Sequence, residues 1–346
     1  MNKRIYANDF AARREILFLH CIAHRGLPNK KSDAYLLEYC GSFYLIDGGL
    51  PRASEVQEYL HGIRRALLSD HAELLSDPSC KLRINWIISH FHADHVGLGI
   101  DRLLSDPYLE VGEIYLPPDS AVDARYAVDG MDGDEKLRPS FFEALSRIEE
   151  PAYTIREIPF GKENRFSVSV GGDSLREVIL TFLPPVEDLG AGWYLDYLYD
   201  SYTDGGSAPH RIPVSAVNNA SVWVLVTFGE HRMLFTGDTM KREKHFYSEG
   251  LDLMMEAYRD EIGSVDVLKY VHHGFARRHA LPAMMSLSPR LLLVSKSDSP
   301  IGELVSQKYP NAEAEVLNVA DRSLLVTCGY DGGRRLPLSY KWLGEE

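Results

Sequence analysis

Six residues, His90-Phe91-His92-Ala93-Asp94-His95, constrain this chain more than any other stretch of it. They follow directly on an apolar run, Ile84 to Ile88, that reads as a buried strand. Three imidazoles and a carboxylate on the exit from such a strand are costly to desolvate unless something charged holds them together. In an extended or loop backbone alternate residues share a face, so His90 and His92 can hold one ion while Asp94 and His95 turn to meet a second. The bland alternative is a polar loop that happens to be rich in histidine. The chain has only 13 histidines, which disfavours such clustering by chance.

The rest of the chain supplies what a two-metal site still lacks. Asp47-Gly48-Gly49 makes an early turn, Asp238 ends the run Leu234-Phe235-Thr236-Gly237-Asp238, and His272-His273-Gly274 closes the apolar stretch Val265 to Val271. In this order, and with the His90 to His95 motif, they resemble the metallo-β-lactamase superfamily. Within it the chain is similar to the branch containing the soluble domain of the competence protein ComEC and the pneumococcal phosphorylcholine esterase. Two segments carry that likeness: Asn218-Asn219-Ala220-Ser221-Val222-Trp223-Val224, and Asp266 to Gly274. The resemblance spans about Ile16 to Val326. It implies an α/β fold, the four-layer αββα sandwich of that family, and a binuclear centre with His90, His92, Asp94, His95, Asp238 and His273 as metal ligands.

Length and composition agree with that expectation. At 346 residues the chain exceeds a common single domain, but no Gly/Ser/Pro-rich linker divides it, so one elaborated domain over 1–346 is expected. Met1 to Arg14 carries several charges and no apolar core, so neither a signal peptide nor an anchor is expected there. No later run approaches the roughly 20 apolar residues of a membrane span. Cys21, Cys40, Cys80 and Cys328 are widely spaced without a CxxC pair, so they are expected to be buried thiols of a cytoplasmic protein.

Strand and helix patterns alternate along the chain. Glu15 to Ala23, Asp33 to Glu38 and Ser42 to Ile46 read as a meander, Ala53 to Leu75 as an amphipathic helix, and Leu82 to Ile88 as the strand that delivers the histidines. Later strands are expected over Ser221 to Phe228, Arg232 to Phe235, Val265 to Val271, Arg290 to Ser295, Ala314 to Val319 and Ser323 to Cys328. A largely helical stretch is expected over Lys241 to Tyr258. An inserted segment at about 186–217 interleaves Trp193, Tyr194, Tyr197, Tyr199 and Tyr202 with acidic residues. It reads equally as a lid or wall near the site, with Trp193 and Tyr197 as substrate contacts, or as a surface excursion packed by its own tyrosines.

The chain departs from the family where a third histidine usually meets the first metal. None follows Phe182-Leu183-Pro184-Pro185. His210 is a possible third ligand, and His231 reads as a solvated turn residue. Fewer protein ligands leave more open coordination positions; the donor set suits Zn²⁺ first, with Mn²⁺ or Fe²⁺ also compatible. Asp47 is expected either to fix a ligand histidine's tautomer or simply to make its turn. Adjacent histidines on an extended segment point to opposite sides, so His273 is expected to bind metal and His272 to act as acid or substrate contact.

Two divalent ions about 3.5 to 4 Å apart lower the pKa of water from about 15.7 toward 7 and suit hydrolysis. Asp238 would hold their spacing, Asp94 orient the nucleophile, and His272 protonate the leaving group. The resemblance implies phosphoester chemistry, with Lys296, Lys269 or Arg277-Arg278 to receive a phosphate. A formal net charge of −13 and the lack of a basic stripe argue against a nucleic-acid partner, so a small-molecule phosphodiester is expected. The alternatives within the same fold are a lactone or thioester hydrolase, a ComEC-like nuclease and a non-catalytic binding protein that keeps the fold and loses the metal, against which the presence together of His90, His92, Asp94, His95, Asp238 and His273 argues. No membrane partner is expected, and the oligomeric state is not legible.

Overall fold

A computed structural model describes residues 15–24, 31–50, 54–118, 137–148, 153–171, 176–194, 197, 212–241, 249–275 and 279–344. Its strands are β1 (Ile16–Cys21), β2 (Tyr35–Tyr39), β3 (Ser42–Ile46), β4 (Leu82–Ile87), β5 (Leu109–Leu116), β6 (Thr154–Glu157), β7 (Phe166–Val170) and β8 (Val178–Leu183). Then come β9 (Trp223–Phe228), β10 (His231–Phe235), β11 (Val267–Lys269), β12 (Leu291–Val294), β13 (Glu315–Asn318), β14 (Leu324–Asp331), β15 (Arg334–Arg335) and β16 (Ser339–Trp342).

These strands form two mixed sheets. In the first the order is β15-β14-β1-β2-β3-β4-β5-β6 with β16 on β14; in the second it is β13-β12-β11-β10-β9-β8-β7. The β2–β3 hairpin turns at Cys40-Gly41, both at positive φ (49° and 78°), the geometry of a two-residue turn that follows strand twist. From β3 the sheet continues in parallel through β4, β5 and β6, and β10, β11 and β12 are parallel in the other sheet.

Three apolar clusters make the layers. Leu19, Leu37 and Val326 of the first sheet meet Phe182, Val224 and Phe235 of the second in a core shared by both. The outer face of the first sheet is covered by the helices Glu55–Leu67 and Leu137–Ser146, and that of the second by Gly250–Ile262, Leu281–Met285 and Ile301–Lys308. The result is the expected αββα sandwich. β9 is buried along almost its whole length because both of its faces are covered, which is why its sequence is apolar without alternation.

The helix Glu55–Leu67 buries Val56, Leu60 and Ile63, one stripe at i, i+4, i+7. It stops well short of the predicted Leu75. Arg64 explains the change of direction: its buried guanidinium donates to the carbonyls of Leu74, Leu75, Asp77 and Cys80 at 2.6 to 3.0 Å, holding residues 72–76 as a separate tight turn.

Four further expectations change. Asn218 and Asn219 do not open a strand but end the helix Ile212–Asn219. Of the helical stretch predicted from Lys241, the helix runs over Gly250–Ile262 and stops at Gly263, whose φ of 60° suits a helix end; residues 242–248 lie outside the described residues. His231 is buried at the start of β10 beside Asp266, Nδ1 to Oδ2 3.6 Å, rather than solvated. Cys21 and Cys328 are buried, whereas Cys40 is exposed in its hairpin turn. Among the described residues no helix is long and apolar enough to cross a membrane.

Candidate metal centre

Parallel strands release their chains at one edge, and in open α/β sheets that edge is where ligands bind. Here β3 delivers Asp47, β4 delivers Ser89 and His90, β10 delivers Asp238, β11 the His272-His273 pair and β12 Ser295. The two sheets thus present their chemistry to each other across one cleft. β11 is shorter than the predicted Val265 to Val271, because the chain leaves it in a left-handed turn: φ is 48° at His272, 58° at His273 and 80° at Gly274. Two non-glycine residues there cost on the order of 1–3 kcal/mol each. Backbone bonds from His272 N to Gly237 O (3.2 Å) and from Ser295 N to His273 O (3.2 Å) impose the turn.

Donor atoms converge on this turn. His95 Nε2 lies 3.3 Å from Asp238 Oδ2 and 3.3 Å from His273 Nε2. His273 Nε2 is 3.0 Å from Asp238 Oδ2 and 3.2 Å from Asp94 Oδ2. On the other side His90 Nε2 and His92 Nδ1 are 3.1 Å apart, with the His90 and His95 rings 4.1 Å between centroids. Ligands at 2.0–2.1 Å around a tetrahedral zinc stand about 3.3–3.4 Å from one another. The observed separations match that edge length, and among the described residues the buried Asp238 Oδ2 has no hydrogen-bond donor other than the ring nitrogens around it.

The backs of the rings explain why their free nitrogens face inward. Asp47 Oδ2 lies 2.8 Å from His95 Nδ1 and also accepts from Ser89 Oγ at 2.8 Å, while Ser89 Oγ lies 3.0 Å from His90 Nδ1. One carboxylate therefore places the proton of two histidines on Nδ1, directly and through a hydroxyl, and leaves both Nε2 lone pairs for an ion. Asp33 does the same for His273, whose Nδ1 is 3.1 Å from Ser295 Oγ and 3.4 Å from Asp33 Oδ1. Asp33, His95, Asp238 and His273 each put a donor atom within 4.8 Å of the others. Asp33 reaches the rings from the Nδ1 side and holds Lys269 Nζ at 2.6 Å, so it orients the cluster from behind.

Electrostatics point the same way. Asp33, Asp47, Asp94 and Asp238 are buried, against two lysines: Lys269, on Asp33 and Asp238, and Lys31, whose Nζ is 3.3 Å from Asp94 Oδ2. Burial pushes the Asp238 carboxyl up, but His273, His95 and Lys269 outweigh it and hold it well below the usual carboxylate range. Burial lowers His273, yet Asp238 and Asp33 raise it to about 9. His95 is likewise carried well above its ordinary value, against burial, by Asp238 and Asp47. Without an ion the buried carboxylates are balanced by the two lysines and by protonated His95 and His273, and a metal binding there would displace the ring protons.

His90, His92, Asp94, His95, Asp238 and His273 come together as the sequence pattern anticipates, and the His272 ring stands at the rim, Nε2 3.7 Å from Asp238 Oδ2 and stacked on Phe275. Lys269 is 2% exposed and committed to two carboxylates, so it does not receive a phosphate. Lys296 pairs with Asp298 and forms an antiparallel bridge with Lys31. Trp193 and Tyr197 are 59% and 39% exposed, and Tyr194 beside them is buried, accepting from Asn219 Nδ2 at 3.1 Å. His210 and Arg277-Arg278 lie outside the described residues. Asp33, Ser89, Ser295 and Lys31 were not singled out from the sequence; Asp33 and Lys31 precede β2 with no motif of their own.

No family model matches the chain, and no curated protein matches it in sequence. Among solved structures it is similar to the metallo-β-lactamase fold protein YhfI from Bacillus subtilis, at 13% identity and TM-score 0.45 over 88% of this chain and 98% of that one. It is also similar to the short form of human tRNase Z, at 13% identity and TM-score 0.37 over 89% and 92% of the two chains. A third is MEM-A1, a subclass B3 metallo-β-lactamase from a soil metagenome library, at 15% identity and TM-score 0.30 over 74% and 80%.

Proposed function

We propose that this chain is a metal-dependent hydrolase with a binuclear centre, of the metallo-β-lactamase type and its ComEC-like branch, and that it cleaves a small phosphodiester. The observation that carries the reading is the convergence of His95, His273, Asp94 and Asp238 at 3.0 to 3.3 Å, with His90 and His92 alongside. His90, His92 and Asp238 would hold one ion and Asp94, His95, Asp238 and His273 the other, zinc suiting the donors best. Such a pair, when bound, lowers the pKa of water in the cleft and answers negative charge gathering on the substrate.

The chain's own residues do the rest. Asp47 and Asp33 fix the ring tautomers, and Asp94 orients the attacking water. His272, at the rim with its ring against Phe275, delivers a proton to the departing oxygen. Lys31, partly exposed beside Asp94 at the cleft, supplies a positive charge that favours an anionic substrate, which supports phosphodiester over lactone or thioester. The net charge of −13 disfavours a long polyanion.

Hydrolysis of bis-p-nitrophenyl phosphate by protein loaded with Zn²⁺ or Mn²⁺ tests this. Turnover that disappears in Asp238→Ala supports it; metal-loaded protein that cleaves lactones or thioesters but no phosphodiester overturns the substrate class.

A further inference from the structure

The family resemblance implies a third histidine for the first metal after Phe182-Leu183-Pro184-Pro185, where none stands, and a buried amide without a hydrogen-bond partner lies on a turn between the loop of Asp238 and the loop of Ser89-His90. Asn218 is 1% exposed, and among the described residues neither its Nδ2 nor its Oδ1 has a hydrogen-bond partner. An amide removed from water without a partner is costly, so a position of this kind is retained where something outside the chain satisfies it.

Its neighbours locate that partner. The helix Ile212–Asn219 ends in a turn closed by Ser221 N on Asn218 O at 3.2 Å. Ser221 Oγ accepts from Asp238 N at 3.1 Å, and Val222 N donates to Ser89 O at 3.0 Å. Asn218 therefore sits on a turn wedged between the loop of Asp238 and the loop of Ser89-His90. The turn fits closely against both: at Gly237, where φ is 54°, an added Cβ would stand 2.6 Å from Ser221 Oγ. Asn219 is accounted for, since its Oδ1 accepts from Met240 N at 3.0 Å and its Nδ2 reaches the Tyr194 hydroxyl. Successive residues of a helix point about 100° apart, so Asn218 does not share the anchor of Asn219.

We infer that the Asn218 side-chain carbonyl ligates the first metal, beside His90 Nε2 and His92 Nδ1, at the coordination position that no histidine fills. The inference rests on the binuclear reading above. A neutral oxygen there gives a weaker, more exchangeable site than a third imidazole, so the two positions should differ in affinity.

Metal-free protein is titrated with Zn²⁺ against a chromophoric chelator, and with Co²⁺ to read the ligand field of each site. Wild type should bind two ions with separable affinities. Asn218→Leu, which removes the amide at similar volume, should fold with unreduced thermal stability yet lose about 10-fold or more in affinity at one site only. Asn218→Asp should bind both ions at least as tightly as wild type. Asn218→Leu that binds both ions with wild-type affinities and Co²⁺ spectrum overturns the assignment while leaving the binuclear reading intact; wild type that binds no ion sinks both.

Discussion

Lys269 Nζ lies 3.1 Å from Asp238 Oδ1, so the carboxylate among the histidine rings is braced from behind by a lysine as buried as itself. The same ammonium is 2.6 Å from Asp33 Oδ2, and the lysine, despite burial, is held above its ordinary pKa by Asp33 and Asp238. Removing one member of such a network strands the others without compensation, at about 3–5 kcal/mol. Lys269→Met is therefore expected to destabilise metal-free protein by that amount in denaturant unfolding, and by less when Zn²⁺ is present to answer the carboxylates. Equal loss with and without metal would contradict the coupling.

Asp47 serves two rings at once, His95 directly and His90 through Ser89. Asp47→Asn keeps the shape and removes the charge. Chelator competition should show Zn²⁺ affinity falling about 10- to 100-fold, the usual effect of losing a partner behind a ligand. An unchanged affinity would reduce Asp47 to a turn residue, for which its φ of 59° equally suits it.

His24 adds an acid sensitivity of its own to that of the buried carboxylates. Its ring packs over Gly49, where an added Cβ would stand 2.2 Å from Cε1, and burial lowers its pKa to about 4, with Asp33 opposing. Between pH 4 and 6.5 the unfolded chain binds the proton and the folded one does not, so this contribution is lost as pH falls through that window. Its full size is about 3 kcal/mol. His24→Gln should flatten the difference in unfolding free energy between pH 6.5 and 4; a slope identical to wild type would remove His24 as its source.

Lys31 is expected to act on the substrate. Lys31→Ala should raise KM for an anionic phosphodiester about tenfold with kcat little changed, as loss of one charge-assisted hydrogen bond predicts, and Lys31→Arg should recover most of it. A fall in kcat at constant KM would instead assign Lys31 to holding Asp94.

Much of this was legible in the sequence. The strands around Ser42 to Ile46 and Leu82 to Ile88 follow from apolar runs, a local signal, and the convergence of His90 to His95 with Asp238 and His273 is what the family resemblance implies. What was not legible is what tertiary contact decides. Asp33 and Lys269 are far apart in sequence and become a pair only when β2 and β11 face each other across the sandwich. The left-handed turn at His272 and His273 has no glycine at either position to announce it, and backbone bonds to Gly237 and from Ser295 impose it. The separate pairing of β15 and of β16 with β14 is not legible because short exposed strands carry little apolar pattern.

The most direct test of the whole account is metal stoichiometry by elemental analysis of purified, Zn²⁺-equilibrated protein. Close to two ions per chain, falling toward one when His90 and His92 are replaced by alanine, is the expected result. Wild-type protein that retains no metal after equilibration would contradict it.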